Sequence, residues 1–342
     1  MSGIRRLAIG LSLVVAVAAC GSDDDDTAEA VTTVAETTVA PTTSAAAPAT
    51  SEATDETTTT LGTAEPAADF PATVVGDAGE LTVQERPVAI VSLSPSLTEM
   101  LFAMGAGEQV VAVDGSSNFP EGTPMTDLSG FRPNVEAIGA LRPDLVLLAR
   151  DRDDVVATLD TVGIPALVLG SAGDIATVAE QIRVLGQATG NVAAAEQLAD
   201  DVVAGVDAAF ATLEAPADEV TYYVELSGEY NSSTSDSLIG ALSARAGIVN
   251  IADGVDPAAG PFPQLSAEFV LETDPDLIFV AHTDGSVPTL DDLVGRPGWA
   301  DLSAVAGDDI VFLDPNVASR WGPRVVELAT SIATAVAGVG PG

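Results

Sequence analysis

The chain has 342 residues, with 51 acidic and 12 basic side chains and a formal net charge of −39. All the basic residues are arginines, and the chain has one cysteine, Cys20, and one histidine, His282. This charge argues against nucleic-acid binding, which requires cations against phosphates. The lack of lysine excludes P-loop and Schiff-base chemistry. One histidine and one cysteine cannot build a zinc site that needs several such ligands.

The first twenty residues have the pattern of an export signal followed by a lipidation site. Arg5 and Arg6 precede an apolar run at residues 7–19, which is too short to span a bilayer comfortably. Small residues then lead into Cys20, as in the lipobox of bacterial lipoproteins. We predict a signal peptide over residues 1–19, lipidation of Cys20, and an exported protein anchored to the outer face of the cytoplasmic membrane. An ordinary signal peptide is the alternative.

Residues 20–68 have the composition of a tether. From Gly21 to Ala68 there is no aromatic residue and no arginine, while threonine, alanine, proline and ten carboxylates are abundant. Such a segment cannot bury enough apolar surface to offset the entropy of ordering, so we predict that it is disordered. The acidic run Asp23–Asp26 is typical of a solvated spacer rather than a metal site.

Residues 69–190 predict an α/β lobe. The apolar run Val88–Leu93 predicts a buried strand, and Ser96 with Glu99 matches a capping box that opens a helix through Met104. The other predicted elements of this lobe are strands at residues 110–113, 145–148 and 166–169 and a helix beginning at Pro133–Asn134. Alternating strands and helices with short connections predict a parallel sheet covered on both faces.

Residues 191–214 predict one long connecting helix of about 22 residues, or roughly 33 Å, with Asn191 as its N-cap. Residues 215–342 return to α/β alternation and predict a second lobe. Its predicted elements are strands at residues 220–224, 277–281 and 310–313, a helix at residues 238–245, and a last helix opened by Pro323. The predicted fold is α/β, with two Rossmann-like parallel-sheet lobes joined by the helix and a ligand cleft between them.

An internal repeat supports the two lobes. NVEAIGALRPDLVLLAR (residues 134–150) aligns without gaps with SAEFVLETDPDLIFVAH (residues 266–282). The shared positions are Glu136/Glu268, Pro143/Pro275, Asp144/Asp276, Leu145/Leu277 and Ala149/Ala281. Each unit reads as a short helix, a Pro-Asp turn and a buried strand. The general helix–turn–strand pattern of α/β proteins is the alternative explanation, and the helix dipole also favours a glutamate at this place.

Aromatic side chains in the loops at predicted strand ends are candidate ligand contacts. They are Phe119, Phe131, Tyr230, Phe262 and Trp321. Any one of them can cap the core instead, but five together favour a broad apolar ligand surface. Arg132, Arg152 and Arg320 can bind an anionic group or pair with surface carboxylates. We expect a hydrogen-bonded structural role for His282, and no catalytic residue or metal ligand is predicted.

From about residue 87 onward, the sequence resembles the cobalamin and ferric-siderophore class of ABC-importer substrate-binding proteins. Four stretches carry the resemblance, namely IVSLSPSLTEMLFAMGAGEQVVAVD (90–114), NVEAIGALRPDLVL (134–147), PFPQLSAEFVLETDPDLIFV (261–280) and RWGPRVVELA (320–329). The resemblance implies two lobes joined by a rigid helix, with modest closure on binding. It also implies that Glu136 and Glu268 dock onto arginines of a permease dimer that works with ATPase subunits. The implied contacts to the metal chelate are Phe119, Phe131, Phe262 and Trp321.

The expected ligand is cobalamin or another corrinoid, because the stretches around Ser96–Glu99 and Pro261–Glu268 are most similar to cobalamin binders. This sequence has phenylalanine where those binders commonly have tryptophan or tyrosine. Because Arg132 and Arg320 can contact an anion, a ferric siderophore is the alternative ligand. Haem is the less favoured alternative, with His282 or a tyrosine as its axial ligand. We expect a monomer without a cofactor of its own. An exported α/β hydrolase, although no G-x-S-x-G turn occurs, and a surface adhesin are the alternatives of other classes.

Overall fold

The computed structural model describes residues 70–339. The predicted signal peptide, the lipidation of Cys20 and the tether therefore lie outside the described residues. Within residues 70–339, strands and helices alternate to form two lobes, each built on a four-stranded parallel sheet. This arrangement confirms the predicted α/β fold class.

The first lobe opens with an antiparallel hairpin that the sequence did not predict, β1 (Ala72–Gly76) and β2 (Gly79–Val83). Its parallel sheet has the order β4-β3-β5-β6, with β3 (Ile90–Leu93), β4 (Val110–Val113), β5 (Leu145–Leu148) and β6 (Ala166–Val168). Its helices are α1 (Pro95–Ala103), α2 (Val135–Ala140), α3 (Val155–Thr161) and α4 (Ile175–Thr189), and α5 (Val192–Phe210) leads into the second lobe. Strands β3 and β5 are buried along their whole length, as expected for central strands covered on both faces.

The second lobe has the sheet order β10-β9-β7-β8. Its strands are β7 (Thr221–Glu225), β8 (Val249–Asn250), β9 (Leu277–Val280) and β10 (Ile310–Phe312). Its helices are α6 (Leu238–Arg245), α7 (Ala267–Thr273), α8 (Leu290–Val294), α9 (Ser303–Ala306), α10 (Pro315–Ala318) and α11 (Val325–Gly338). Numbered along the chain within each lobe, both sheets have the strand order second, first, third, fourth. Identical topology in the two lobes supports the internal duplication.

The repeated Pro-Asp turn has the same structural role in both lobes. In the first lobe, Oδ2 of Asp144 accepts hydrogen bonds from the backbone N–H of Val88 and of Ala89, at 2.9 and 3.0 Å. In the second lobe, Oδ2 of Asp276 accepts one from the N–H of Thr221 at 2.7 Å. Each aspartate thus satisfies backbone donors where the neighbouring central strand begins. The repeat is therefore more than a shared helix–turn–strand pattern.

Helix α5 packs against α4 of the first lobe and α11 of the second. Glycines allow both of these close helix contacts. A Cβ on Gly186 of α4 would overlap that of Ala195 in α5, and a Cβ on Gly205 of α5 would lie 2.9 Å from the side chain of Val326 in α11. One continuous hydrophobic core includes Val202 of α5 together with buried side chains of both lobes. Large movement of one lobe against the other would break this core, so the packing favours limited closure.

Three local predictions were wrong. Ser96 and Glu99 do not form a capping box, because α1 begins at Pro95 with Ser94 as its N-cap. Helix α5 has 19 residues rather than about 22. The last helix begins at Val325, not at Pro323. The hairpin and the two-residue strand β8 were missed because both are short and carry a weak apolar pattern.

Asp309 is a half-buried carboxyl before β10, and its pKa is raised by burial and by the charges of Asp308 and Asp276. The folded protein thus holds this proton more tightly than the unfolded chain does. The stability that the group contributes is complete below the unfolded pKa, 3.8, and is lost as the pH rises through the folded pKa. We expect Asp309→Asn to raise the free energy of unfolding at pH 7 by up to about 1 kcal/mol, and to change it little at pH 3. Urea denaturation at both pH values measures the free energy of unfolding, and the variant Asp160→Asn, at an exposed aspartate, is the control. Equal stability of the two variants at pH 7 would contradict the expected gain.

Candidate ligand-binding site

The topology marks one edge of each sheet as the place for a ligand. The strand order reverses between β3 and β5 in the first lobe and between β7 and β9 in the second. The loops that follow such a pair of strands diverge and leave a crevice outside their carboxyl ends, where open α/β sheets bind ligands. In this chain the loops that leave the strands at this edge contain most of the candidate residues identified from the sequence.

Three predicted aromatic contacts are exposed at this edge. Phe119 and Phe131, which are 42% and 67% exposed, lie between β4 and α2. Phe262, which is 57% exposed, lies between β8 and α7. Tyr230 and Trp321 are half-buried. Large apolar groups left open in both lobes mark a surface suited to a ligand or partner, and the contact roles of these residues remain predictions.

Arg320, predicted as a ligand contact, lies buried between the lobes. Its Nη1 donates to Oε1 of Glu99 at 2.8 Å. Its Nη2 lies 2.9 Å from the carbonyl oxygen of Ser116 and 2.8 and 2.7 Å from the side-chain oxygens of Asn118 and Asn316. The guanidinium therefore contacts protein groups of both lobes. In this structure Arg320 joins the lobes, and its role as a ligand contact stays a prediction.

Arg324 extends this contact. Its Nη2 donates to Oε1 of Glu99 at 2.6 Å and its Nε to Oε2 at 3.0 Å, and the hydrogen bond to Glu99 raises the pKa of the guanidinium. The same guanidinium carbon lies 4.2 Å from the ring centre of Phe119, a cation–π distance. We call Glu99, Arg320 and Arg324 the inter-lobe network. Glu99 and Arg324 were not predicted as site residues, although both lie in the stretches that carry the family resemblance.

A second buried charge network supports the loops of the second lobe. Glu225 is fully buried and accepts hydrogen bonds from Nη1 and Nη2 of Arg296 at 2.6 and 2.9 Å. It also contacts Nε2 of His282 at 2.7 Å, and Nδ1 of His282 lies 2.6 Å from Oγ of Ser286. Both ring nitrogens are thus engaged, which is the structural role expected for this histidine.

Tyr230 is fixed beside this network. Its backbone has a φ of 61°, which is rare for an aromatic residue, and its carbonyl oxygen accepts a hydrogen bond from the N–H of Leu265 at 2.9 Å. The guanidinium of Arg296 lies over both Tyr230 and Trp299, at 5.6 and 4.4 Å from the ring centres. The tyrosine ring is therefore held in one place at the edge of the crevice.

Glu136 and Glu268 occupy equivalent places in the two lobes. Each is the second residue of its helix, α2 or α7, and each is exposed. The N-caps are equivalent too, since Asn134 accepts from the N–H of Ala137 at 3.0 Å and Ser266 from that of Phe269 at 3.1 Å. The two carboxylates therefore form a matched pair of exposed negative charges, and their role in docking remains a prediction.

Residues 70–339 contain no group of three histidine, cysteine, aspartate or glutamate side chains placed to hold a metal ion. A cavity of about 860 Å³ lies at the other edge of the second sheet, near the amino ends of β7, β9 and β10. Its lining includes Glu214, Asp218, Asp276 and Asp309 and no arginine. It is separate from the candidate residues and lacks the aromatic surface expected for a broad apolar ligand.

A ligand held between the carboxyl edges of the two sheets would contact exposed aromatic side chains of both lobes, as in two-lobed binding proteins. The family model described as periplasmic binding protein matches residues 90–317. The chain therefore belongs to the periplasmic binding proteins, which are substrate-binding proteins of transporters rather than enzymes. This confirms the resemblance drawn from the sequence.

Relatives agree with this assignment. An uncharacterised ABC transporter substrate-binding lipoprotein of Bacillus subtilis, YvrC, is 28% identical over 78% of this chain and 86% of its own. A cobalamin-binding protein of Halobacterium salinarum is 29% identical over 80% of this chain and 76% of its own. The apo structure of the periplasmic haem-binding protein RhuT from Roseiflexus is 27% identical, with a TM-score of 0.63, and covers 74% of this chain and 97% of its own. Across the described range, no helix is both long and apolar enough to cross a membrane.

Proposed function

We propose that this protein is the extracytoplasmic capture component of an ABC importer and that its ligand is cobalamin or a related corrinoid. The observation that carries the proposal is the set of exposed phenylalanines at the carboxyl edges of both sheets. A corrin is broad and largely apolar, so aromatic side chains from two sides can cover it. The similarity to the cobalamin-binding protein of Halobacterium salinarum supports this choice.

A lipid-anchored location is part of the proposal. Cys20 follows small residues at the end of an apolar signal, and the similar YvrC is named a lipoprotein. The tether would let the two lobes move above the membrane and reach a permease. A permease dimer with its ATPase subunits is the proposed partner, contacted through Glu136 and Glu268.

A ferric siderophore is the second candidate ligand. Arg132 and Arg152 are exposed on the first lobe, and neither takes part in an ion pair within residues 70–339, so both can meet an anionic chelate. Haem has less support, because both nitrogens of His282 are engaged and two of the three tyrosines, Tyr222 and Tyr223, are fully buried. Tyr230 is then the tyrosine left to serve as an axial ligand.

Calorimetric titration of the detergent-solubilised protein with cyanocobalamin, ferric siderophores and haemin tests the proposal, with native mass spectrometry giving the stoichiometry. We expect one-to-one binding of cyanocobalamin. Binding of a siderophore or haemin alone would keep the importer assignment and overturn the choice of ligand. Binding of none of them would overturn the proposed capture of a metal chelate.

A further inference from the structure

The arginines of this acidic protein are distributed unequally between the two sides of the crevice. In the second lobe, each arginine near the crevice forms an ion pair with a buried glutamate, since Arg296 pairs with Glu225 and both Arg320 and Arg324 pair with Glu99. In the first lobe, Arg132 and Arg152 are exposed. Neither belongs to any ion pair formed among residues 70–339.

The loop that carries Arg132 is held firmly at the end of β3. A Cβ on Gly130 would overlap the carbonyl oxygen of Leu93, so the loop lies directly against this strand. Oγ of Ser129 accepts hydrogen bonds from the backbone N–H of Phe131 and of Arg132, each at 3.2 Å. The sequence Ser-Gly-Phe-Arg thus forms a fixed turn at the carboxyl edge of the sheet.

Arg152 comes to the same place from the neighbouring strand. It follows β5, and its guanidinium carbon lies 5.7 Å from the ring centre of Phe131. Asp151, its neighbour in the chain, accepts a hydrogen bond from the backbone N–H of Val156 at 3.1 Å rather than from a guanidinium. The two loops therefore place Arg152 against the exposed ring of Phe131, with Arg132 next in the chain, at the point where the strand order reverses between β3 and β5.

In a protein with a net charge of −39, leaving these cations unpaired next to an exposed ring favours an anionic partner. We propose that Phe131, Arg132 and Arg152 form an oxyanion-recognition site in the first lobe. The ligand therefore carries a peripheral oxyanion, either the phosphodiester of a corrinoid or a carboxylate of a siderophore or haem. The second lobe, whose arginines are all ion-paired, receives the opposite face of the ligand. This inference rests on the proposed function and deepens it by orienting the ligand.

The test compares probes with and without this group. Calorimetry on the full chain in detergent would use cyanocobalamin and dicyanocobinamide, which lacks the phosphodiester together with the ribose and base of the nucleotide loop. Ferric citrate and the neutral ferrichrome form the second pair of probes. Whichever pair the wild type binds, we expect R132Q/R152Q to weaken binding of the member that carries the oxyanion about 10- to 100-fold. The affinity for the other member should stay within about twofold of the wild-type value. The matched control is R86Q/R142Q, which removes two exposed charges before β3 and β5, at the opposite edge of the sheet.

The outcomes separate the two proposals. If the wild type binds a probe and the double variant keeps the wild-type preference between members of the pair, the oxyanion site is wrong and the capture function stands. An equal loss in R86Q/R142Q would show a general effect of charge and would also overturn the site. If the wild type binds haemin alone, unchanged haemin affinity in the double variant would overturn the site and leave the capture function standing. If it binds neither haemin nor any of the four probes, the capture function and the site that rests on it both fail.

Discussion

Replacing Glu99 with glutamine should lower the free energy of unfolding by about 3–5 kcal/mol. The carboxylate is 3% exposed and accepts hydrogen bonds from both Arg320 and Arg324, which come from the other lobe. Glutamine keeps the size of the side chain but removes its charge, which leaves the buried cation of Arg320 without a counterion. The cost is large because a buried, unpaired charge cannot recover its hydration.

The matched control is Glu196→Gln, which removes the charge of a glutamate that also pairs with an arginine, Arg183, at 2.7 Å. That glutamate side chain is 50% exposed, so its loss should cost less than about 1 kcal/mol. Urea denaturation of the wild type and both variants, with midpoint and slope fitted separately, makes the comparison. Similar midpoints for the two variants would show that the inter-lobe network contributes no more than a surface pair.

Glu99 also shows where sequence reasoning reaches its limit. The pattern of Ser96 and Glu99 indicates a helix cap because both residues lie within four positions of each other. In the folded protein Oγ of Ser96 accepts from the N–H of Trp321, and Glu99 pairs with Arg320, 221 residues along the chain. A local pattern cannot distinguish a cap from a contact between distant segments, and neither the burial of Arg320 nor its pairing with Glu99 leaves a signal in the sequence.

The predictable parts of the fold are those in which burial leaves a continuous apolar run. Strands at residues 110–113 and 145–148 were predicted with the observed bounds, since parallel strands covered on both faces need apolar side chains at successive positions. Helix α6 was also predicted at its observed bounds. The pair Glu225–Arg296 was not predicted, because two charges that meet across 71 residues leave no periodic signal.

Reversing the charge of Glu136 and Glu268 together should reduce uptake to below about one hundredth of the wild-type rate and leave ligand affinity unchanged. Both carboxylates are exposed at the second residue of equivalent helices, one in each lobe, where a two-fold permease can meet one from each side. In the proposed docking each glutamate meets an arginine of the permease, so an arginine in its place would exchange attraction for repulsion at both contacts. Like charges at an interface cost several kcal/mol. Uptake of radiolabelled ligand by cells and calorimetry on the purified variant give the two readouts.

The control must change the charge equally without touching the proposed docking edge. Glu108 and Glu219 meet this need, because both are exposed, one in each lobe, and they lie before β4 and β7 at the amino ends of the strands. E108R/E219R changes the net charge by the same +4 as E136R/E268R. We expect this control to keep wild-type uptake. An equal loss of uptake in both double variants would assign the effect to overall charge, whereas lost ligand affinity in E136R/E268R would place the two glutamates in the binding site instead of the permease contact.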